Sequence, residues 1–238
     1  MCYLVAHNPI NMLKAVNIVK SYRHLTVLKS IDLSIEQGKI ISIVGASGAG
    51  KSTLLHILGT LDQPDQGNVY LNDVDLTQLK GNDLAEYRNR NIGFIFQFHN
   101  LLPEFTALEN VSIPAYLSNN KSEREISNRA EHLLKLLGIG SRMHHKPSEM
   151  SGGEQQRTAV ARALMNNPLV VFADEPSGNL DSKNAEELHS LFFRLRDEYG
   201  QTFVIVTHND ELADMADRKL EIKDGIITTW ERGEASEG

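Results

Sequence analysis

The sequence is short of cysteine, of basic residues and of long apolar runs. Its single cysteine, Cys2, can form neither an internal disulfide nor a cysteine-based metal site, and it fits a reducing compartment. Lys and Arg number 24 against 31 Asp and Glu, so the formal net charge is −7. This balance disfavours a strongly basic nucleic-acid-binding protein, and we expect no nucleic-acid partner. No apolar run approaches the ~20 residues of a membrane-spanning helix.

The composition that remains is that of an ordinary globular protein. The 238 residues are 41% hydrophobic and 23% charged, which excludes disorder as the main state. The first residues have no basic stretch, and their apolar stretch is too short for a signal peptide. An apolar-alternating segment begins just after Met12, so we expect residues 1–11 to be an N-terminal extension and residues 12–238 the folded domain.

Apolar segments of strand length alternate with segments of helical periodicity. Strands are predicted over residues 13–22, 26–35, 39–44, 68–72, 92–97, 169–173 and 201–207, and helices over residues 51–59 and 182–199. Repeated strand–helix units indicate an α/β fold with a mostly parallel sheet and helices on both faces. From about residue 98 to 165 the pattern is helical, with a capping box at Ser122 and Glu125. We expect an inserted helical subdomain there and a core made of residues 12–97 and 166–230.

A glycine-rich loop follows the third predicted strand. It matches G-x-x-x-x-G-K-[ST] and consists of Gly45, Ala46, Ser47, Gly48, Ala49, Gly50, Lys51, Ser52 and Thr53. Its glycines allow backbone N–H groups to converge on phosphate oxygens, and the N-terminus of the following helix adds a positive partial charge. Lys51 is predicted to neutralise the β- and γ-phosphates of a nucleotide, and the Ser52 hydroxyl is predicted to bind Mg²⁺.

Two carboxylates end a later apolar strand. In the segment L-V-V-F-A-D-E, Asp174 is predicted to hold Mg²⁺, and Glu175 is predicted to polarise an attacking water as general base. Gly45, Asp174 and His208 each come just after a predicted strand. Because ligands on parallel sheets bind at the carboxyl ends of the strands, these three positions should converge on one site.

A third motif, M-S-G-G-E-Q-Q-R at residues 150–157, precedes another predicted helix. Ser151 and Glu154 form a capping box. Gly152 and Gly153 occupy the first turn, where each glycine costs about 1 kcal/mol relative to alanine. The two glycines are explained if a phosphate approaches the backbone there. One γ-phosphate held both by this helix and by the glycine-rich loop would require two chains facing each other.

In their order and spacing, these motifs resemble the nucleotide-binding subunits of ATP-binding cassette (ABC) transporters, over about residues 12–228. The resemblance implies a P-loop NTPase (RecA-like) core with a mostly parallel sheet, an antiparallel β subdomain and an inserted α-helical subdomain. It also implies an ATPase that uses ATP and Mg²⁺. Glu175, His208 and Gln97 would then be catalytic, with Gln97 also sensing Mg²⁺ and linking to a membrane partner. The remaining implied nucleotide contacts are Tyr22, which stacks on adenine, Asp181, and the residues Ser151, Gly152, Gly153 and Glu154 of a second copy.

Three positions depart from the usual pattern of this family. Met150 stands where Leu is usual, Glu154 replaces the commoner Gln, and Ser177 stands where Thr is typical. Met for Leu nearly conserves side-chain volume, and Glu still completes the capping box. None of the three removes a group needed for hydrolysis, so we expect a competent ATPase.

The resemblance also implies partners and a location. The family forms a head-to-tail dimer that holds two ATP molecules at its interface and drives separate integral membrane subunits. We therefore expect a peripheral protein on the cytoplasmic face of the bacterial inner membrane. The segment after Gln97 is the candidate docking surface for the membrane subunits, with core packing as the alternative for its apolar residues Phe98, Leu101, Leu102 and Phe105.

The string FQFHNLLPEFTALENV at residues 96–111 resembles the ATPases of lipoprotein-releasing systems, which implies lipoprotein cargo. Macrolide exporters, antimicrobial-peptide exporters and cell-division ATPases of the FtsE type stay open as alternatives. A soluble iron–sulfur assembly ATPase is a more distant one, and it would not be retained on membranes. The gap between the first and third motifs holds no sustained heptads, which disfavours the ABC-type ATPases of DNA repair and chromosome structure.

Overall fold

The computed structural model describes residues 11–118 and 121–232. Residues 1–10 of the predicted N-terminal extension lie outside the described residues, and residue 11 already belongs to the first strand. Within the described ranges, no helix combines the length and the apolar character that crossing a membrane requires.

Strands and helices alternate along most of the chain. The first elements are β1 (Asn11–Tyr22), β2 (Leu25–Glu36), β3 (Ile40–Val44), α1 (Lys51–Leu58), β4 (Gln66–Leu71), β5 (Val74–Asp75), α2 (Gly81–Asn91), β6 (Ile92–Phe96) and α3 (Ala107–Ser118). They are followed by α4 (Glu123–Leu136), α5 (Gly152–Ala163), β7 (Val170–Asp174), α6 (Ser182–Tyr199), β8 (Thr202–Val206), α7 (Asp210–Met215), β9 (Arg218–Lys223) and β10 (Ile226–Arg232). Two short 3₁₀ turns, Gly140–Arg142 and Pro147–Glu149, lie between α4 and α5.

The strands form two sheets. The larger sheet has the order β10-β9-β3-β8-β7-β6, and all of its neighbouring strands are parallel except the antiparallel pair β9 and β10. The smaller sheet has the order β2-β1-β4-β5 and is antiparallel throughout. The predicted fold class, a mostly parallel core with an antiparallel β subdomain and helices, is confirmed.

The parallel sheet is buried on both faces, and its strands alternate between two hydrophobic cores. In β7, Val170 and Phe172 belong to one core, and Val171 and Ala173 belong to the other. The first core also contains the apolar residues of α1 and of the antiparallel sheet. The second contains those of α3 to α6. Because both faces are covered, the central strands are continuous apolar runs, as the sequence shows.

The helices α3, α4 and α5, which lie between β6 and β7 in the chain, pack against one another. Ser122 and Glu125 form the predicted capping box at the start of α4. The helix stops at Leu137, and Gly138 follows with a φ of +74°, a conformation that favours glycine. These three helices lie inside the predicted subdomain of residues 98–165, whose exact boundaries stay a prediction.

Among the elements that were not predicted from the sequence are helix α2 and the hairpin of β9 and β10. Helix α2 has no buried residue, so it carries no apolar periodicity. The hairpin of β9 and β10 was also missed, although Asp224 and Gly225 at its turn are a standard signal for a two-residue hairpin loop. Both turn residues have positive φ, +50° and +81°.

Gly225 connects the two sheets, so we expect Gly225→Ala to destabilise the fold. Its carbonyl accepts a hydrogen bond from Lys29 N at 2.8 Å, and a Cβ there would lie 2.4 Å from Val27 O. We expect a loss of about 1–3 kcal/mol in the free energy of unfolding, measured by urea denaturation. Gly200→Ala is the matched control, because its φ is also positive, +64°, but nothing lies within 4 Å. Equal losses in both variants would contradict the packing argument.

Candidate functional site

The glycine-rich loop joins β3 to α1, and its glycines serve different purposes. A Cβ on Gly45 would lie 2.2 Å from Ile222 O of β9, and one on Gly50 would lie 2.8 Å from Leu28 Cδ2 of β2. Both glycines are therefore demanded by packing within the chain. Gly48 has a φ of +78° with open space around it, so only its backbone conformation requires glycine. With exposed Ala46 and Ser47 it forms the open rim of the loop.

Lys51 folds back onto this loop. Its Nζ donates to Gly45 O at 2.8 Å and to Ala46 O at 3.0 Å, and the side chain is buried. Burial lowers the pKa of Lys51, and the negative charges of Glu175 and Asp174 oppose that shift. The cation is thus held by neutral carbonyl oxygens, which leaves its charge available to an anionic ligand.

Asp174 ends β7 beside the start of α1. Its Oδ1 accepts a hydrogen bond from Ser52 Oγ at 3.1 Å, and its Oδ2 lies 3.7 Å from His56 Nε2. A hydroxyl and a carboxylate are suitable hard ligands for Mg²⁺. Among the described residues, no group of three or more His, Cys, Asp and Glu side chains is arranged to hold a metal. A cation at this pair would therefore need further oxygens from a phosphate or water.

Glu175 and His208 lie at the carboxyl ends of the neighbouring strands β7 and β8. Glu175 Oε1 is 3.2 Å from His208 Nε2, and Oε2 accepts a hydrogen bond from His208 N at 3.2 Å. Burial raises the pKa of Glu175, and the positive charge of His208 opposes this shift. Glu175 also has a φ of +47°, which is unusual for a residue other than glycine. A carboxylate with a raised pKa is suited to accept a proton.

Lys51, Ser52, Glu175 and His208 line one open cleft of about 700 Å³. Of the three positions after strand ends, His208 lines this cleft, whereas Asp174 reaches it through its hydrogen bond with Ser52 and Gly45 accepts from Lys51 at its edge. Gln97, just past β6, also lines it, and so does Tyr22 at its outer end. The Tyr22 hydroxyl donates to Asp62 Oδ2 at 2.6 Å, and Asp62 in turn pairs with Lys20 at 2.8 Å. No sequence pattern predicts this network, because Asp62 is far from both partners in the chain.

The third motif lies at the start of α5 and outside this cleft. Ser151 caps the helix, and Glu154 Oε2 accepts from Ser151 N at 2.8 Å, so the predicted capping box is present. Glu154 also pairs with Arg142 at 2.7 Å. Among the described residues that line the cleft, none belongs to this motif. One chain alone therefore does not bring its two predicted phosphate-binding helix ends together.

The two glycines of the third motif differ in their surroundings. A Cβ on Gly153 would lie 2.4 Å from Asn184 Oδ1 of α6, so packing within the chain requires this glycine. A Cβ on Gly152 would meet only Leu180 Cδ2, at 3.8 Å. Packing against Asn184 thus gives a second reason for glycine at position 153, whereas nothing within the chain explains the glycine at position 152.

Asp181 and Gln97 have partners within the chain. Asp181 caps α6, where its two carboxylate oxygens accept from Asn184 N at 2.9 Å and Nδ2 at 2.7 Å. Gln97 and Asn179 exchange two hydrogen bonds, of 3.2 and 3.1 Å. Gln97 therefore connects the cleft to the loop between β7 and α6. Asp181, which was predicted to contact nucleotide, is occupied at the helix cap of its own chain.

Comparison with known families identifies the architecture. The sequence profile described as "ABC transporter" matches residues 28–178, more than half of the chain. The chain belongs to the ABC transporter family. Three curated relatives, described next, are each covered to 96% or more of their own length by this chain.

These relatives are each named lipoprotein-releasing system ATP-binding protein LolD. The protein from Cytophaga hutchinsonii is 60% identical over 216 residues, with 91% of this chain and 98% of the relative covered. The protein from Bacteroides thetaiotaomicron is 56% identical, with 91% and 99% covered. The protein from Aquifex aeolicus is 50% identical, with 91% and 96% covered.

Two solved structures of the ABC cassette MJ0796 are also similar to this chain. Each is 40% identical, has a TM-score of 0.86, and is aligned over 94% of this chain and all of its own. Both are dimeric, and one is described as a post-hydrolysis state bound to ADP and Pi. The fold of this chain is thus that of an ABC cassette.

The raised pKa of Glu175 predicts that Glu175→Gln stabilises the nucleotide-free protein at neutral pH. Because the folded state binds the Glu175 proton more tightly than the unfolded state, its contribution to stability falls as pH rises through the folded pKa. Gln removes the ionised group, so the Tm at pH 7.5 should rise by about 2 °C or more. The difference should shrink toward pH 4.

Glu109→Gln supplies the control of opposite sign for this Tm series. Hydrogen bonds from Thr106 lower the pKa of Glu109, so its ionised form contributes to stability above the unfolded pKa. Its replacement should lower the Tm at pH 7.5. A Glu175→Gln protein less stable than wild type at pH 7.5 would show that the carboxylate is favourably placed without nucleotide.

Proposed function

We propose that this chain is the ATP-hydrolysing subunit of a bacterial ABC transporter that releases lipoproteins from the inner membrane. The observation that carries the proposal is the meeting of Lys51, Ser52, Asp174, Glu175 and His208 at the carboxyl edge of the parallel sheet. The relatives named for lipoprotein release, at 50–60% identity across nearly their whole lengths, support the choice of transporter.

The glycine-rich loop and α1 bind the phosphates of ATP. Exposed backbone N–H groups at the loop rim and the α1 N-terminus face the anion. Lys51 exchanges its carbonyl partners for β- and γ-phosphate oxygens, which a buried cation favours strongly. Ser52 and Asp174 would hold Mg²⁺, which would supply positive charge to stabilise the phosphate oxygens during hydrolysis. Tyr22 stacks on the adenine at the outer end of the cleft.

Glu175 accepts the proton of the attacking water. Its Oε1 is buried and lies 3.2 Å from His208 Nε2, but it forms no hydrogen bond of good geometry with the described residues, so it can accept one from the attacking water. Its raised pKa brings the carboxylate closer to the pH at which a general base is most effective. His208, beside it, contacts the γ-phosphate, and Gln97 reaches the same cleft from β6.

Hydrolysis takes place between two copies of this chain. The α5 N-terminus, with Ser151, Gly152, Gly153 and Glu154, lies outside the cleft of its own chain and contacts the ATP bound by the second copy. No atom of its own chain lies close to the Cβ position of Gly152, which leaves room for a phosphate to approach the backbone there. The dimeric form of both MJ0796 structures supports a dimer of this chain.

The segment after Gln97 docks the integral membrane subunits. Phe98 is 72% exposed, Leu102 44% and Phe105 41%, which favours a docking surface over core packing for these three residues. Buried Asn110 fixes the backbone beneath them, accepting from Leu102 N and donating to Leu102 O, Phe105 O and Thr106 O. Behind them, Arg162 of α5 donates to the carbonyls of His99 and Asn100, at 2.8 and 2.6 Å.

Docking on integral membrane subunits places the chain on the cytoplasmic face of the inner membrane as a peripheral protein. The lipoprotein cargo is handled by the whole complex, not by this chain alone. Exporters of macrolides or antimicrobial peptides and cell-division complexes would use the same ATPase site. A soluble iron–sulfur assembly ATPase would share the site but not the membrane partners.

An affinity pull-down from detergent-solubilised native membranes tests the choice of transporter. We expect integral membrane subunits with large periplasmic domains, together with acylated protein cargo, identified by mass spectrometry. Recovery of an exporter or cell-division partner would keep the ATPase and overturn lipoprotein release. A soluble scaffold without membrane proteins would overturn the transport function.

Gly152→Ala should disturb the contact with the second copy's nucleotide without disturbing the folding of its own chain. The added Cβ meets no close atom in its own chain, and alanine favours the helix, so the Tm should stay equal or rise. The ATPase rate should fall about tenfold or more, because the methyl group faces the second copy's phosphate. Gly153→Ala is the control and should lower the Tm through its clash with Asn184. Wild-type ATPase activity in Gly152→Ala would contradict the dimer site.

Phe98→Ala or Leu102→Ala should weaken binding of the membrane subunits by about tenfold or more while the isolated chain hydrolyses ATP normally. Exposed apolar side chains at an interface centre contribute through burial against the partner. Binding is measured with purified membrane subunits in detergent. Met215→Ala, which removes a 53% exposed side chain on α7, is the control and should bind as wild type. Equal loss of isolated ATPase activity would indicate core packing instead.

A further inference from the structure

The loop between β7 and α6 follows Glu175 directly and is held by side chains from several elements. Gln156 of α5 is fully buried and donates to Pro176 O at 2.7 Å. The reciprocal hydrogen bonds of Gln97 with Asn179 hold the loop from the end of β6. Each of these anchors comes from an element that also contributes to the proposed nucleotide site.

Ser177, one of the three departures from the family pattern, is anchored by α6. Its Oγ lies 3.0 Å from Nε2 of His189, whose side chain is 4% exposed. Burial lowers the pKa of His189, and the negative charges of Glu211 and Glu186 oppose that shift only in part. The imidazole is therefore neutral at physiological pH. A neutral imidazole nitrogen and a hydroxyl can pair in either direction of donation.

The position of Ser177 bears on the carboxylate two residues earlier. Gly178 N donates to Glu175 O at 3.0 Å, and Leu180 N donates to Ser177 O at 3.1 Å, so Glu175 and Ser177 lie in one tight series of turns. The backbone of Glu175 is itself in an unfavourable conformation, with a φ of +47°. Such a conformation persists only where surrounding contacts hold it.

We propose that His189 is a positioning residue for ATP hydrolysis, whose hydrogen bond to Ser177 holds the turns that fix the Glu175 carboxylate in the cleft. His189 does not line the cleft and acts only through Ser177. The pairing gives a reason for a hydroxyl at position 177, which serine supplies here and the threonine typical of the family would supply as well. The assignment rests on the proposed ATPase function.

Steady-state kinetics of the full-length chain test the proposal, with Mg-ATP as substrate. The variants are His189→Leu, Ser177→Ala, their double mutant and His189→Gln. Loss of one neutral hydrogen bond should lower kcat about three- to tenfold in His189→Leu and in Ser177→Ala. KM for ATP should stay within about twofold, because the phosphate-binding loop is untouched. The double mutant should be no slower than the slower single variant, since both remove the same contact.

His189→Gln is the rescue variant, because the glutamine amide reaches the position of the imidazole Nε2. It should keep more than half of the wild-type kcat. Ser177→Ala removes a single hydroxyl from a partly exposed residue, so it keeps the test decisive even if His189→Leu fails to fold.

A wild-type kcat in Ser177→Ala would overturn the proposal. Equal losses in His189→Leu and His189→Gln, additive with Ser177→Ala, would do the same, because they would indicate packing alone. Failure of the proposed function is distinct: the wild-type chain itself would then show no hydrolysis that Glu175→Gln abolishes.

Discussion

Three charged side chains meet near the carboxyl ends of β3 and β7, and two of them are acidic. Asp174 and Glu175 are consecutive, and Lys51 is the cation that faces them. The lysine is held by carbonyl oxygens of its own loop and not by either carboxylate. The two carboxylates outnumber the lysine, so the proposed polyphosphate and its divalent cation would bring charge of both signs to this site. Because the strands are parallel, their carboxyl ends lie at one edge of the sheet, and this brings the groups together.

The glycines of the two motifs fall into two groups, those required by packing within the chain and those with open space where a ligand can approach. Gly45, Gly50 and Gly153 are required by neighbouring atoms of β9, β2 and α6. A Cβ would meet no close atom on Gly48, which lies in the cleft, or on Gly152, which lies at the N-terminal end of α5. In the proposed dimer, the nucleotide would lie between the surface of one copy that carries Gly48 and the surface of the other copy that carries Gly152. Replacement at the three packed glycines and at the two free ones should therefore damage the protein in different ways.

Local sequence patterns predicted the parts of the site that depend on neighbours in the chain. Helix α6 has the predicted bounds, and the capping boxes at Ser122 and Ser151 are present, because caps and helical periodicity are local. Helix α2 escaped prediction since it is polar on all sides. The partners Asp62 of Tyr22 and His189 of Ser177 were not foreseen, because no sequence pattern encodes a contact between residues so far apart. The separate roles of Gly152 and Gly153 likewise depend on where α6 packs.

Helix α5 is a stiff rod of 12 residues, about 18 Å long. One end carries the cap and Gly152, which would face the second copy in the proposed dimer, and near the other end Arg162 donates to backbone carbonyls of the segment with the exposed Phe98. Because the helix is rigid, its two ends do not move independently. If closure of the two copies tilts α5, the Phe98 segment should move with it, and a load on that segment should resist the closure. A single helix would then couple the tightness of the proposed nucleotide-bound dimer to the force delivered at the membrane.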